Sequence, residues 1–381
     1  MNNHYSSSAE VVDFDLHGIV GIRLLNPSAE DVRGVEGQVG PMREPLDGWP
    51  DLTIHFVDAI AHGPLSFVDW KGSAFDRNSF YLLGKDGATP LCRVELEHVG
   101  SCCELEVQRG AGWVPLLIHL VNIIALSKGF APVHASAFAH NGEGNLVMGW
   151  SKGGKTEALL AFDKHDGQYV GDEWIWVSSD GRSVFGVPEK VRLWEWHLRQ
   201  LPRAAAAAGR KRVLAFRTVR ALQEALDGIK NPVIAAPMAS LKRRLWVRLK
   251  PSDIFASCVA GYDAPLNKVF LFVTHDSPEV TLEPGDPLDV AERMSWSTHH
   301  EQAPLLAAYQ AYRFAFPERS NAFIENAREL ERERLRTALA EKPTYIVRHP
   351  YPVCLEHLYR VMRPCVEHEG TPAAIKKAEV N

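Results

Sequence analysis

A chain of 381 residues, 46% hydrophobic and 23% charged, has ample material for one large or two modest folded cores. Its net charge of -5 argues against a dedicated nucleic-acid binder, which carries a basic surplus. The opening MNNHYSSSAEVVDFDL has no basic segment followed by an apolar run, and the longest apolar stretch, Val114 to Leu126, is broken by His119 and Asn122, so neither a signal peptide nor a membrane span is expected.

Residues 1–112 alternate short β-like runs with turn signals. Strands are expected at Ile19 to Leu25, Leu52 to Val57, Ser79 to Leu83, Leu91 to His98 and Cys103 to Gln108, separated by Asp47-Gly48, Lys85-Asp86-Gly87 and Arg109-Gly110. This predicts a β-rich N-terminal domain with no catalytic constellation of its own. The six cysteines form no C-x-x-C pair and no metal-finger spacing. Cys102 and Cys103 are expected to straddle a strand as reduced thiols, in a reducing, cytoplasmic compartment.

Val114 to Lys128 reads as a buried helix ending near Gly129, and Pro132 to Phe138 as a strand. After the turn Asn141-Gly142-Glu143-Gly144 comes the stretch on which the chain is organised, NLVMGWSKGGKTE, residues 145–157. Gly149, Gly154, Lys155 and Thr156 satisfy G-x-x-x-x-G-K-[ST], between an apolar strand-like run and the helix-like TEALLAF. Glycines let the backbone turn its N–H groups onto a polyphosphate, and the helix N-terminus adds positive potential. Lys155 would reach the β- and γ-phosphates and Thr156 would ligate Mg²⁺. The loop residues Gly149, Trp150, Ser151, Lys152, Gly153, Gly154, Lys155 and Thr156 are therefore the expected nucleotide-binding set.

Tyr169-Val170-Gly171 is a short expected strand ending at Asp172-Glu173, where a carboxylate near the loop can face metal and acceptor. Trp174 to Val177 and Ser183 to Phe185 form an expected hairpin about Ser179-Asp180-Gly181. The pairs Trp174/Trp176 and Trp194/Trp196 each read as one face of an extended segment, either a core stripe or a stacking surface, with Trp150 as a further wall. Further on, helices are expected at Ala204 to Ala208 and Val219 to Ile229, the second stopped by Asn231-Pro232. Strands are expected at Leu245 to Leu249, Lys268 to Thr274 and Glu279 to Leu282. A charged helical region spans Pro304 to Glu341, a last strand Tyr345 to Arg348 and a last helix Leu355 to Met362, before a polar tail. The basic stretches Arg210-Lys211-Arg212 and Lys242 to Lys250 suit either a solvated surface or a face toward phosphate or an acidic substrate.

The order of His134 on a strand, the loop G-W-S-K-G-G-K-T-E, a helix, then Val170-Gly171-Asp172-Glu173 resembles the HPr kinase/phosphorylase family and its HPr-kinase-like relatives over about residues 130–200. That family carries a histidine before a G-x-S-G-x-G-K-S-E loop and a V-A-D-D segment after the loop helix. The resemblance implies an α/β fold: a P-loop kinase core of the HPr kinase and phosphoenolpyruvate carboxykinase type at residues 113–300. The β-rich domain at 1–112 precedes it, and a helical C-terminal region at 301–381 packs on it. It further implies catalytic roles for Lys155, Asp172, Glu173 and His134, metal ligation by Thr156 and Asp172, and ATP with Mg²⁺. The expected activity is transfer of the γ-phosphoryl group to a hydroxyl, on a serine of a peptide or protein or on a small-molecule alcohol. A nucleotide-binding module or an NTPase with little phosphotransfer is the alternative, and self-association into a homo-oligomer is left open. Two departures stand out: Lys152 replaces a family glycine, and Glu173 replaces the second aspartate.

Overall fold

The computed structural model describes residues 10–69, 72–226 and 245–367. The end of the helix expected at Val219 to Ile229, its Asn231-Pro232 stop and the polar tail lie outside the described residues. The chain is mixed α/β with two large sheets and a small ribbon.

The first sheet opens with the hairpin β1 (Val11–Leu16) and β2 (Val20–Leu25). Helix α1 (Ala29–Val39) then crosses to β3 (Leu52–Val57), which lies parallel to β2. Two glycines, Gly34 and Gly37, dilute the helical signal of α1, yet a reciprocal cap starts it. Asp31 N–H donates to the Ser28 hydroxyl while the Asp31 carboxylate accepts from Ser28 N–H. Strands β4 (Ser66–Asp69), β5 (Ser73–Phe75), β6 (Phe80–Leu83) and β7 (Pro90–Val94) meander back to β8 (Cys103–Gln108), parallel beside β3. The strand expected through His98 stops at Val94, and Leu96–His98 is a 3-10 turn. Cys102 is exposed and Cys103 buried, both as free thiols.

Helix α2 (Leu117–Ser127) is apolar on nearly all faces, because it packs between this sheet and the next. The second sheet follows from β9 (Ala131–His140) and β10 (Glu143–Gly149), then α3 (Lys155–Asp163), β11 (Gln168–Gly171), β12 (Trp174–Val177) and β13 (Ser183–Gly186). An excursion comprises β14 (Val191–Trp194), α4 (Glu195–Gln200), α5 (Pro202–Ala208), α6 (Arg210–Leu226), β15 (Trp246–Leu249) and α7 (Pro251–Ile254). The chain returns through β16 (Asp263–Thr274), β17 (Thr281–Pro284), α8 (Pro287–Glu301), α9 (Ala303–Ala315), α10 (Ala322–Glu325), α11 (Ala327–Leu339), β18 (Thr344–His349) and α12 (Leu355–Glu367). Trp194 and Trp196 do not share an extended face as expected: Trp194 ends β14 and Trp196 lies in α4.

Strands β10, β16 and β18 run parallel at the centre of this sheet, with β9 and β17 antiparallel on either side. The first halves of β9 and β16 bend away to pair with β12 and β13. The two-residue period of β9 sorts its side chains. Ala131, Val133, Ala135 and Ala137 join the apolar layer under α8 and α11. Phe138, on the opposite face, stacks on Phe162 of α3. His134 and Ser136 share the Phe138 face, so the strand delivers them to the α3 side of the sheet.

One apolar cluster contains the first sheet, α2, Trp174 and Trp176 of β12, and Leu305, Tyr309, Tyr312 and Ile324 from the C-terminal helices. Trp176 is fully buried, and its Nε1 donates to Asn122 Oδ1 at 2.9 Å. The Trp174/Trp176 pair is therefore mainly core. No described helix is long and apolar enough to cross a membrane.

Asn321 joins the first sheet to the C-terminal helices. Its Nδ2 donates to the carbonyls of Leu96, Glu97 and Val99, and its Oδ1 caps α10 by accepting from Phe323 and Ile324 N–H. Truncation leaves buried carbonyls and helix N–H groups unpaired, so Asn321→Ala is expected to lose about 2–4 kcal/mol of unfolding free energy. Urea titration of the variant checks this, and Asn321→Asp, which keeps the cap acceptor but sets a second oxygen against the three carbonyls, should lose no less.

Candidate functional site

The loop leaves the central strand β10 at its carboxyl end, the side of an open α/β sheet at which ligands bind. At Gly154, φ is +94° and an added Cβ would lie 2.5 Å from the His349 ring, so only glycine fits. Lys152 also takes a left-handed conformation, φ +61°, at a cost of about 1–2 kcal/mol for an L side chain. The backbone thus keeps a shape that glycine would adopt freely, although the residue is lysine. His349, at the end of β18, shares a hydrogen bond with the Gly153 carbonyl at 2.9 Å, and Ser297 of α8 donates to the Gly149 carbonyl at 3.2 Å. The loop is braced from two sides.

Lys155 Nζ donates to the Trp150 carbonyl at 2.9 Å and the Gly149 carbonyl at 3.3 Å. Burial pulls its pKa down, against the opposing pull of Glu173, Asp172, Glu301 and Glu157. Trp150 itself points outward, 53% exposed, and stacks on His300 at 4.9 Å.

The two acids sit where β11 hands over to β12, both antiparallel to β9. Between them, Trp174 N–H donates to the Asp172 carbonyl at 3.0 Å across Glu173, whose φ is +70°. This is a γ-turn of the rare left-handed kind, and such conformations cost of order 1–3 kcal/mol. The turn sends the neighbouring side chains to different surroundings. Asp172 is buried: Ser136 donates to Oδ1, and Thr156 Oγ1 donates to Oδ2 at 2.9 Å. Glu173 is 41% exposed to the cleft and meets His134 Nε2 at 2.9 Å. His134 Nδ1 makes no hydrogen bond to a described residue but lies 3.5 Å from Glu301 Oε1 at the end of α8.

Burial, then the Glu173 charge, pushes Asp172 up to about 7, outweighing Ser136, Thr156 and Lys155. Burial works in the same sense on Glu173 but loses to the His134 hydrogen bond and charge, assisted by Lys155 and Arg192, which hold that carboxyl low. Since Glu173 opens to solvent, the hydrogen bond is the cause that carries this direction.

The cleft is lined by Ser151, Lys152, Gly153, Gly154, Lys155, Thr156, Asp172, Glu173 and His134. These expected residues come together. Gly149 and Trp150 do not line it: the first offers its carbonyl to Lys155 and Ser297, and the second faces outward. Thr156 Oγ1 and Asp172 Oδ2 present two hard oxygen donors side by side, which suits Mg²⁺, a cation that takes few protein ligands and completes its shell with phosphate and water. No cluster of three or more His, Cys, Asp or Glu side chains suited to a metal occurs among the described residues.

Several cleft residues carried no sequence signal, among them Glu189, Arg192 and Glu301, whereas Arg248 belongs to the basic stretch Lys242 to Lys250. Ser136 was within reach of reasoning, because a residue two positions after His134 on a strand shares its face. Glu157 of α3 and His197 of α4 form a buried contact at 3.1 Å, and His197 Nδ1 accepts from Trp194 N–H. That pair fastens the β14–α4 junction to the loop helix. No protein-family model matches the chain, and no curated protein sequence matches it.

The opposite shifts of the two acids separate in pH. Unfolded, an aspartate titrates near 4; folded, Asp172 keeps its proton to about 7. The native state therefore binds the extra proton between those values, and the stability this contributes is lost as pH rises through that window. Glu173 acts oppositely, and its contribution is lost only in stronger acid. Asp172→Asn should remove the first dependence alone. Its melting temperature relative to wild type, without nucleotide or Mg²⁺, should rise steadily between about pH 4 and pH 7; a constant difference would show that Asp172 ionises normally.

Proposed function

We propose that this chain is a P-loop kinase that transfers the γ-phosphoryl group of ATP to a hydroxyl acceptor. One observation carries the reading: the phosphate loop, its Thr156 and the acidic pair Asp172-Glu173 face a single cleft, with Thr156 bonded directly to Asp172. A loop that served only as a turn before a helix would have no reason to meet a buried carboxylate. The second sheet, with its parallel central strands β10, β16 and β18, supports the kinase architecture expected from the resemblance, and β18 carries that core beyond residue 300.

In this reading the loop N–H groups and Lys155 hold the β- and γ-phosphates, with Lys155 exchanging its present carbonyl partners for phosphate oxygens. Thr156 and Asp172 would hold Mg²⁺, which supplies charge neutralisation at the transferring group. Ser136 orients Asp172 by occupying its other oxygen. Glu173 faces the open cleft and is the group that accepts the acceptor's hydroxyl proton. His134 fixes the orientation of Glu173 from the protein side. The acceptor oxygen attacks the γ-phosphorus as its bond to the β-phosphate oxygen breaks; the proton passes to Glu173 and then to solvent, and ADP leaves.

Lys155→Ala removes a charge-assisted phosphate contact worth about 1.5–3 kcal/mol, so Mg·ATP affinity by calorimetry should fall at least tenfold. Unchanged affinity in the folded variant would remove the loop from nucleotide binding. For the chemistry, phosphoryl transfer from labelled ATP to an acceptor is followed in Asp172→Asn, Glu173→Gln and His134→Ala. The first two should lose about 10²–10⁴ in rate, and the histidine variant less. Labelled free phosphate without labelled acceptor would mark an NTPase instead.

A further inference from the structure

The β14–β15 ribbon forms one wall of the cleft. Its strands pair Arg192 with Arg248 and Trp194 with Trp246 in register. Val191, Leu193, Val247 and Leu249 point into the apolar core, so the period of two puts both arginines and both tryptophans on the opposite face. Arg192 and Arg248 line the cleft together with Trp194.

Like charges directly opposed across a strand pair are destabilising. Here a single indole carries both, with the guanidinium carbons 4.9 Å and 5.7 Å from the Trp246 ring centroid. Neither guanidinium makes a hydrogen bond or salt bridge to a described residue, and Arg192 Nε is buried without a partner. The nearby carboxyls are those of Glu173 and Glu189. Glu173 is already bonded to His134, and Glu189 is driven toward its neutral form by burial and by Glu173 and Asp172. The ribbon lies outside the strand–loop–helix unit that grips nucleotide phosphates, while the Glu157–His197 contact holds it rigidly beside that unit. Paired guanidinium forks match the geometry of a carboxylate or phosphate.

We infer that Arg192 and Arg248, seated on Trp246, form an oxyanion subsite that selects a hydroxyl acceptor bearing a carboxylate or phosphate group. The inference rests on the kinase reading, since it assigns the acceptor's side of the same cleft. The test is calorimetric titration of the full chain, saturated with Mg²⁺ and a non-hydrolysable ATP analogue. The probes are glycerate, glycerol 3-phosphate and neutral glycerol. Glycerate or glycerol 3-phosphate should bind, the tighter one showing which oxyanion is preferred, and glycerol should not. The Arg192→Gln/Arg248→Gln double variant should bind both anions at least tenfold more weakly, with affinity for the ATP analogue unchanged within about twofold. The variant loses a like-charge pair, so its melting temperature should not fall. Equal anion binding in both proteins, or none in wild type, overturns the subsite. So does a variant that loses nucleotide affinity but keeps anion affinity, because the arginines then serve the nucleotide. Failure of the ATP analogue to bind at all would strike the kinase reading separately. Arginine-dependent binding of glycerate to the nucleotide-free chain would still uphold the subsite.

Discussion

The buried carboxylate of Asp172 is the constraint around which the site is arranged. A carboxylate removed from water is costly unless its oxygens are bonded. Here two hydroxyls provide the bonds, Ser136 from β9 and Thr156 from α3. Meeting that requirement brings a strand, the first turn of the loop helix and the end of β11 to one point. Neither hydroxyl carries charge, so burial and the neighbouring Glu173 charge raise the carboxyl's affinity for a proton.

Adjacent acids with opposed environments are a recurrent means of running proton and charge chemistry in one place. In this chain the separation is a backbone matter. The γ-turn about Glu173 breaks the extended path, so Asp172 lines the buried floor of the cleft while Glu173 lines its open side. The surrounding strand pairs with β9 on both sides of the turn and holds the strained residue in place. Had β11 run straight into β12, the side chains would have alternated across the sheet and could not both have faced the cleft.

Much of this was readable before any coordinates, for identifiable reasons. The loop at residues 149–156 announces itself because its conformation demands glycines at set intervals, as Gly154 against His349 illustrates. Asp172 and Glu173 were legible as acids that end a short strand beside the loop, and His134, on the strand before the loop, only through the resemblance. Glu301 and Arg192 were not legible, because they reach the cleft through tertiary packing of α8 and of a ribbon whose two strands are separated by a long excursion; Arg248 was visible only as part of the basic stretch Lys242 to Lys250. Local misreadings had local causes. Two glycines hid α1, the 3-10 turn at Leu96–His98 passed for strand, and the Trp194/Trp196 spacing suggested a strand where a helix begins. A two-residue period cannot distinguish those cases without knowing where the chain turns.

The double hydrogen bond of Lys155 to its own loop has a consequence for how a ligand enters. Lysine side chains are among the most entropically costly to immobilise. In this chain that loss has already occurred, because the ammonium is buried and bound to the Gly149 and Trp150 carbonyls. His349 and Ser297 likewise hold the loop backbone before anything arrives. In the proposed reading, an incoming polyphosphate would exchange one set of oxygen acceptors for another within a framework that is already ordered. Such pre-organisation moves the expense of recognition from binding to folding, so the loop's shape is set by the fold itself.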